Sequence, residues 1–296
     1  MDQSTSESLR FPPVAGRTVR AEFDGGAMSS DVGPLILRGI DQQIGLIDRL
    51  VQAVDDRRHP SYVAHSLHDL FTQRIFQIAC GYADGNDANA LRTDPLFKLG
   101  VNRHPLVQAM DLASAPTFSR LENAVSTRDL YRLARAFVDQ FIASYPQPPT
   151  VIVLDLDHSE DPTHGQQELS FYNHDYRHHC YLPLFLFEGL SGKFITAALR
   201  PGQRPTGAEN AMIVTRVVKR LRAVWPRTRM VLRGDAHFAN PELMQLAVDD
   251  PAIDFIFGLA GNQALSPLAE PFLAANRCRL ENARRAGCAL PTPTRT

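Results

Sequence analysis

The feature that most restricts the fold begins after the Pro-rich stretch Tyr145-Pro146-Gln147-Pro148-Pro149. From there helical periodicity gives way to short apolar runs of strand length, at 151–156, 181–187 and 194–199. The turn Gly189-Leu190-Ser191-Gly192 separates the last two. Strands that follow one another without an intervening helix pair antiparallel. Thr206-Gly207-Ala208-Glu209 then reads as a capping box opening a helix that carries Ile213, Val217, Leu221 and Val224. A strand at 229–233, a helix from about Pro241 and a strand at 253–259 complete the pattern. Strand–helix–strand units require parallel crossovers. The second half is therefore expected to be a mixed sheet flanked by helices.

Upstream, residues 1–30 read as a polar arm with one short strand at 17–23, and residues 31–145 as a helical region. Ile36, Ile40, Ile44, Ile47 and Val51 recur at helical spacing, interrupted by Gly39 and Gly45. Pro60-Ser61 is expected to open a second helix with the stripe Val63, Leu67, Leu70, Phe71 and Phe76, stopped by turn residues 83–87. A third helix, from Thr127, presents Leu130, Leu133, Phe137, Phe141 and Ile142 on one face, and Ser126 with Asp129 fits a capping box. The fold class is thus α/β (α+β overall): an arm, a helical region, and from about residue 150 a ribonuclease H-like mixed sheet.

Composition narrows the function. A length of 296 residues suits about two domains, and 44% hydrophobic with 21% charged residues excludes a mainly disordered chain. A net charge of −1 excludes a uniformly basic nucleic-acid binder but not a local patch. Four cysteines without a CxxC read as reduced thiols. There is no signal-peptide pattern and no apolar run near the roughly 18 residues of a membrane span, so a cytoplasmic protein is expected.

Asp155 and Asp157 alternate with Leu154 and Leu156, so both carboxylates share one strand face. They could equally be solvated strand-end acids. Asp235 ends the 229–233 strand, and ligands of open α/β sheets sit beyond strand carboxyl ends. If the first and fourth strands are neighbours, Asp155 or Asp157 converges with Asp235. Clustered carboxylates are hard oxygen donors suited to Mg²⁺ or Mn²⁺. Five of the ten histidines, His158, His164, His174, His178 and His179, lie near Cys180, but loop spacings make zinc a weak reading beside surface or substrate-facing histidines. Residues 210–233 hold seven basic residues and no acid: Arg216, Lys219, Arg220, Arg222, Arg227, Arg229 and Arg233. That run is either a solvated helix face or a phosphate-tracking surface beside Asp235.

The stretches Leu154-Asp-Leu-Asp157, Asp161-Pro-Thr-His-Gly165, Tyr181-Leu-Pro-Leu-Phe185, Leu199-Arg-Pro-Gly202 and Leu232-Arg-Gly-Asp235-Ala-His-Phe238 resemble bacterial insertion-sequence transposases of the DDE class. Gly81–Asp87, Leu91–Pro95 and Thr117–Glu122 extend the resemblance, which runs from about Asp31 to about Asn262. It implies that Asp157, in Asp-His-Ser, and Asp235 are catalytic aspartates. It further implies a divalent metal held by Asp157 and Asp235, with Asp155 as an additional candidate, and DNA strand cleavage and transfer. Double-stranded transposon ends would be the partner, a homodimer the assembly, and Arg216, Lys219, Arg220, Arg222 and Arg233 the DNA contacts. The family's glutamate belongs to a Tyr-x-x-Arg-x-x-x-Glu element, and no tyrosine follows Tyr181 here. Arg277-Cys-Arg-Leu-Glu281 matches only Arg-x-x-x-Glu, with Ala274 in place of the tyrosine. The expectation is a copy truncated before its last catalytic helix, with an apolar sheet face uncovered. Two rivals are an inactive DNA-binding fragment that interferes with intact transposase, and a metal-dependent nuclease completed by Glu168 or Glu188.

Overall fold

The computed structural model describes residues 9–22, 31–259 and 263–285. The anticipated strand end at Phe23, Asn262, and the Pro/Thr stretch with Cys288 lie outside them. Strands β1 (Leu9–Val14) and β2 (Arg17–Ala21) form an antiparallel hairpin. The first helical stripe is divided into α1 (Gly33–Ile44) and α2 (Leu46–Val51), because Gly45 adopts a left-handed φ of 64° and closes α1. Helix α3 (Leu67–Ala79) starts at the Ser66 cap. Pro60 instead heads a single 3-10 turn, and α3 begins at Leu67, about two turns later than the expected start. Helices α4 (Asp87–Leu91), α5 (Pro95–Gly100) and α6 (Ala115–Ala124) were not anticipated, since two are too short to show a period. Helix α7 (Thr127–Ala143) carries the expected Ser126–Asp129 capping box.

The second half contains β3 (Val151–His158), β4 (Asp161–Pro162), β5 (Phe171–Asn173), β6 (His178–Tyr181), β7 (Leu184–Glu188) and β8 (Phe194–Ala198). Helix α8 (Gly207–Val224), β9 (Arg229–Gly234), α9 (Pro241–Asp249), β10 (Ile253–Phe257) and α10 (Leu265–Arg285) follow. The expected strand at 181–187 is two strands: Tyr181 ends β6, Leu184 begins β7, and Pro183, which has no N–H to give a ladder, stands between. The main sheet has the order β10-β9-β3-β7-β8, with β3, β9 and β10 parallel and β3, β7 and β8 successively antiparallel. This is the mixed, ribonuclease H-like order that the strand and helix sequence implied, with first and fourth strands adjacent.

One face of that sheet is buried. Ile152, Leu154 and Leu156, Leu184 and Leu186, Met230 and Leu232 pack beneath Val138 and Phe141 of α7, Val214, Val217 and Leu221 of α8, and Leu243 of α9. The opposite face exposes Val151, Phe187 and Ile256. Helix α10 is exposed along its described side chains. Among the described residues no helix is long and apolar enough to cross a membrane.

The histidine-rich segment, expected as loop, is a three-stranded sheet in the order β4-β6-β5. It is seated against the loop before α8, where Gly202 has room for no side chain. A Cβ there would lie 2.1 Å from the Cys180 carbonyl oxygen and 2.9 Å from that of Phe171. Asn173 Nδ2 also donates to the Gly202 carbonyl at 3.1 Å. Gly202→Ala should therefore destabilise the chain by about 1–3 kcal/mol, since backbone atoms must move. A lower urea midpoint is the expected result; an unchanged midpoint would contradict this packing.

Candidate active site

Strand β3 buries Ile152, Leu154 and Leu156, so alternation turns Asp155 and Asp157 to the open face. The parallel register sets Asp155 beside Arg233 and Leu156 beside Gly234. Asp157 and Asp235 are the next residues on the two segments, close enough that the charge of Asp235 acts on Asp157. On the other flank, β7 sets Phe187 beside Asp155 and Phe185 beside Asp157. Arg233 donates through Nε and Nη2 to the two oxygens of Asp155. Gly189 leaves room for this fork, because a Cβ there would lie 2.6 Å from Asp155 Oδ2 and 2.7 Å from Arg233 Nη2.

The sequence therefore brings two carboxylates together, and their electrostatics records it. Partial burial raises the pKa of Asp157, and the negative charges of Asp235 and Asp155 raise it further. Asp235 is shaped by the turn it begins. Its Oδ1 accepts the His237 N–H at 2.9 Å, and its Oδ2 lies 3.2 Å from His237 Nδ1. It caps the 3-10 turn Ala236–Phe238, whereas α9 has its own cap, Asn240. On the buried side, the His158 ring stacks nearly parallel to Phe238, 4.6 Å between centroids and 5° between planes. Burial pushes the His158 pKa down to about 4, so the ring is neutral at pH 7.

The remaining candidates are placed as follows. Asp155 and Arg233 engage each other across β3 and β9. Arg220 donates to Asp139 at 2.5 Å. Arg222 pairs with Asp250 at 2.9 Å and donates to the Thr228 carbonyl at 2.7 Å. Arg216 lies over the Tyr131 ring at 5.1 Å, and Lys219 is exposed. The basic run is spread along the sheet: Arg233 lies two residues before Asp235, whereas Arg222 lies at the other end of β9. Helix α8 packs on the sheet's buried face, and Arg222 reaches the start of β9, while Asp235 follows its end. Six strand residues separate those ends, roughly 20 Å.

Neither glutamate of the nuclease reading joins the pair. Glu188 is buried and accepts from Val153 N, Leu190 N, Ser191 N and Ser191 Oγ. Burial alone would raise its pKa, but these hydrogen bonds outweigh it and hold the carboxyl below its ordinary range. Glu168 is exposed in the turn before β5, where Tyr181 Oη donates to its backbone carbonyl at 2.6 Å. Glu281 is exposed on α10. In the histidine-rich sheet, His178 pairs with Glu160 at 2.9 Å, Tyr172 sets its edge against His174 and His179, and Cys180 is buried. Among the described residues no group of three or more His, Cys, Asp or Glu side chains is arranged to hold a metal ion. The contribution of His158, Phe238 and Asn210 was not anticipated; the alternation Leu154, Leu156, His158, which puts the ring on the buried face, was the available signal.

Residues 11–289 match the family described as transposase DDE domain group 1. No curated protein matches the chain. Among solved structures it is similar to a piggyBac transposase synaptic complex with hairpin DNA, at 14% identity and a TM-score of 0.35, covering 79% of this chain and 52% of that one. It is also similar to the Mos1 strand transfer complex, at 11% identity and a TM-score of 0.25, covering 86% and 85% of the two chains. The chain thus spans about half the length of the piggyBac chain it matches. At these TM-scores the overlaps carry no argument, and the family match stands without them.

A raised Asp157 pKa means that ionising this carboxyl works against folding at neutral pH. The penalty is present above the folded-state pKa and disappears as pH falls below the ordinary carboxylate range. Metal-free Asp157→Asn should therefore be more stable than the parent at pH 7, with the difference fading towards about pH 3. Thermal unfolding across that range checks it; a variant less stable than the parent at pH 7 would contradict the assigned environment.

Proposed function

The chain belongs to the transposase DDE domain group 1 family, and from that membership we propose that its site handles DNA phosphodiesters with Mg²⁺ or Mn²⁺ held at Asp157 and Asp235. The observation that carries this reading is the convergence of the two carboxylates at the ends of neighbouring parallel strands, where the charge of one raises the pKa of the other. A cation would relieve that repulsion. The donor set fits: both ligands are hard carboxylate oxygens, and Mg²⁺ is commonly held by one or two carboxylates together with waters and substrate phosphates. When bound, such ions supply Lewis-acid stabilisation of the attacking and leaving oxygens during in-line displacement at phosphorus.

The chain's own residues do the positioning. Asp155 and Arg233 hold β3 and β9 in register one step before the acids. Asp235 is fixed by its hydrogen bond from the His237 amide. Phe185 and Phe187 line the flank of the acid face. Arg216 and Lys219, in the middle of α8, remain candidates for phosphate contacts, since no acidic partner engages them among the described residues. The parent reading is cleavage and strand transfer of an insertion sequence, with its double-stranded ends as the partner and a homodimer as the assembly.

A second reading, a DNA-binding protein without strand-transfer activity, is favoured by one observation. Among the described residues no third carboxylate joins Asp157 and Asp235. Calorimetry separates metal binding from catalysis. Mn²⁺ is expected to bind weakly to the parent and to lose detectable binding in Asp157→Ala and in Asp235→Ala. Equal binding by all three proteins would remove the shared site. For DNA, Arg216→Glu with Lys219→Glu should reduce the slope of log affinity against log salt by about 0.9 per lost phosphate contact. An unchanged slope in fluorescence anisotropy would mean that these two residues face only solvent.

A further inference from the structure

Asp157 and Asp235 are carried by different kinds of backbone. Asp157 lies within β3, paired on both sides. Asp235 follows the last residue of β9 and caps the 3-10 turn Ala236–Phe238, so its side chain is carried where the strand gives way to a turn. Its distance from Asp157 depends on what holds that turn against the end of β3.

The stack of His158 on Phe238 spans that junction from below. His158, next in sequence to Asp157, turns its ring to the buried face and lies flat on Phe238, the last residue of the turn, at 4.6 Å and 5°. Aromatic pairs in proteins favour offset or edge-on arrangements, and a near-parallel stack defines ring orientation as well as distance. Asn210, in the first turns of α8 and 1% exposed, engages His158 Nε2 through its Oδ1 at 3.3 Å. This contact fixes the ring in its own plane. Phe238 is itself immobilised: it is 1% exposed in the sheet core, and a Cβ on Gly234 would come within 2.6 Å of its ring. The amide of Phe238 also donates to the Asp235 carbonyl at 3.2 Å, closing the turn. Strand β3, helix α8 and the β9–α9 turn therefore meet at one imidazole.

We propose that His158 is a positioning residue whose stack on Phe238, pinned by Asn210, sets the separation of the Asp157 and Asp235 carboxylates for a divalent cation. The inference rests on the metal reading above, but its mechanical part stands on the stack alone. An ordinary core-filling role predicts that any loss of packing nearby has the same effect. A positioning role predicts an effect confined to residues 235–239 and to the cation, and rescue by a flat apolar ring.

The test uses the full chain and four variants: His158→Ala, His158→Phe, Asp157→Ala, and Val217→Ala, a truncation of the same core on α8. Amide hydrogen exchange is read without metal, and Mn²⁺ binding is read by electron paramagnetic resonance. His158→Ala should speed exchange at residues 235–239 selectively and weaken Mn²⁺ binding by about 10-fold, the lower end of the effect of losing an outer partner of a metal ligand. His158→Phe should restore both towards the parent, and Val217→Ala should change neither selectively. Unchanged exchange at 235–239 in His158→Ala would overturn the proposal, as would equal weakening of Mn²⁺ binding by Val217→Ala. Mn²⁺ binding that is absent from the parent, or insensitive to Asp157→Ala, would overturn the metal reading alone, and the exchange data would still decide the role of His158.

Discussion

The parallel pairing of β3 with β9 is the constraint from which the rest of the site follows. It joins residues far apart in sequence, and its register decides which side chains meet at the sheet's carboxyl edge. A slip of one residue would turn the acids into the core, so the apolar alternation of Ile152, Leu154 and Leu156 and of Met230 and Leu232 protects the register. On the open face the Asp155–Arg233 pair adds a charged, two-pronged contact across the same two strands. The acid nearest the edge is left without a cation of its own, and that asymmetry separates Asp157 from Asp155.

The two ends of the sheet consequently differ in character. At the carboxyl edge, one carboxylate is raised in pKa beside a second, above a neutral histidine and a buried phenylalanine. At the opposite end, Arg222 ties α8 to the start of β9 and to Asp250 just before β10. Most of the arginines there are held by acids or carbonyls. They brace helix against sheet, which explains how an uninterrupted basic run can sit in a chain of almost zero net charge.

Much of this was legible in the sequence because it follows from period and spacing. The i, i+2 acids of β3, both capping boxes, and the antiparallel-then-parallel strand order follow from local patterns, and each is present. The features that were not legible depend on partners distant in sequence. Nothing local to Arg233 marks it as the partner of Asp155, 78 residues away. Nothing local to the basic run shows that Asp139 and Asp250 are brought to Arg220 and Arg222 by α7 and the α9–β10 connection. The histidine-rich segment lacked an alternating run long enough to signal strands of two to four residues. His158 was visible only as one histidine among several, because its partner Phe238 lies 80 positions later on a turn.

The central claim is that Asp157 and Asp235 share a divalent cation at the carboxyl edge of β3 and β9. Anomalous diffraction from crystals soaked in Mn²⁺ tests it most directly. The account predicts a manganese peak bridging carboxylate oxygens of both aspartates, with Asp155 still held by Arg233. A peak on Asp155 instead, or on the histidines of β5 and β6 with none between Asp157 and Asp235, would contradict it.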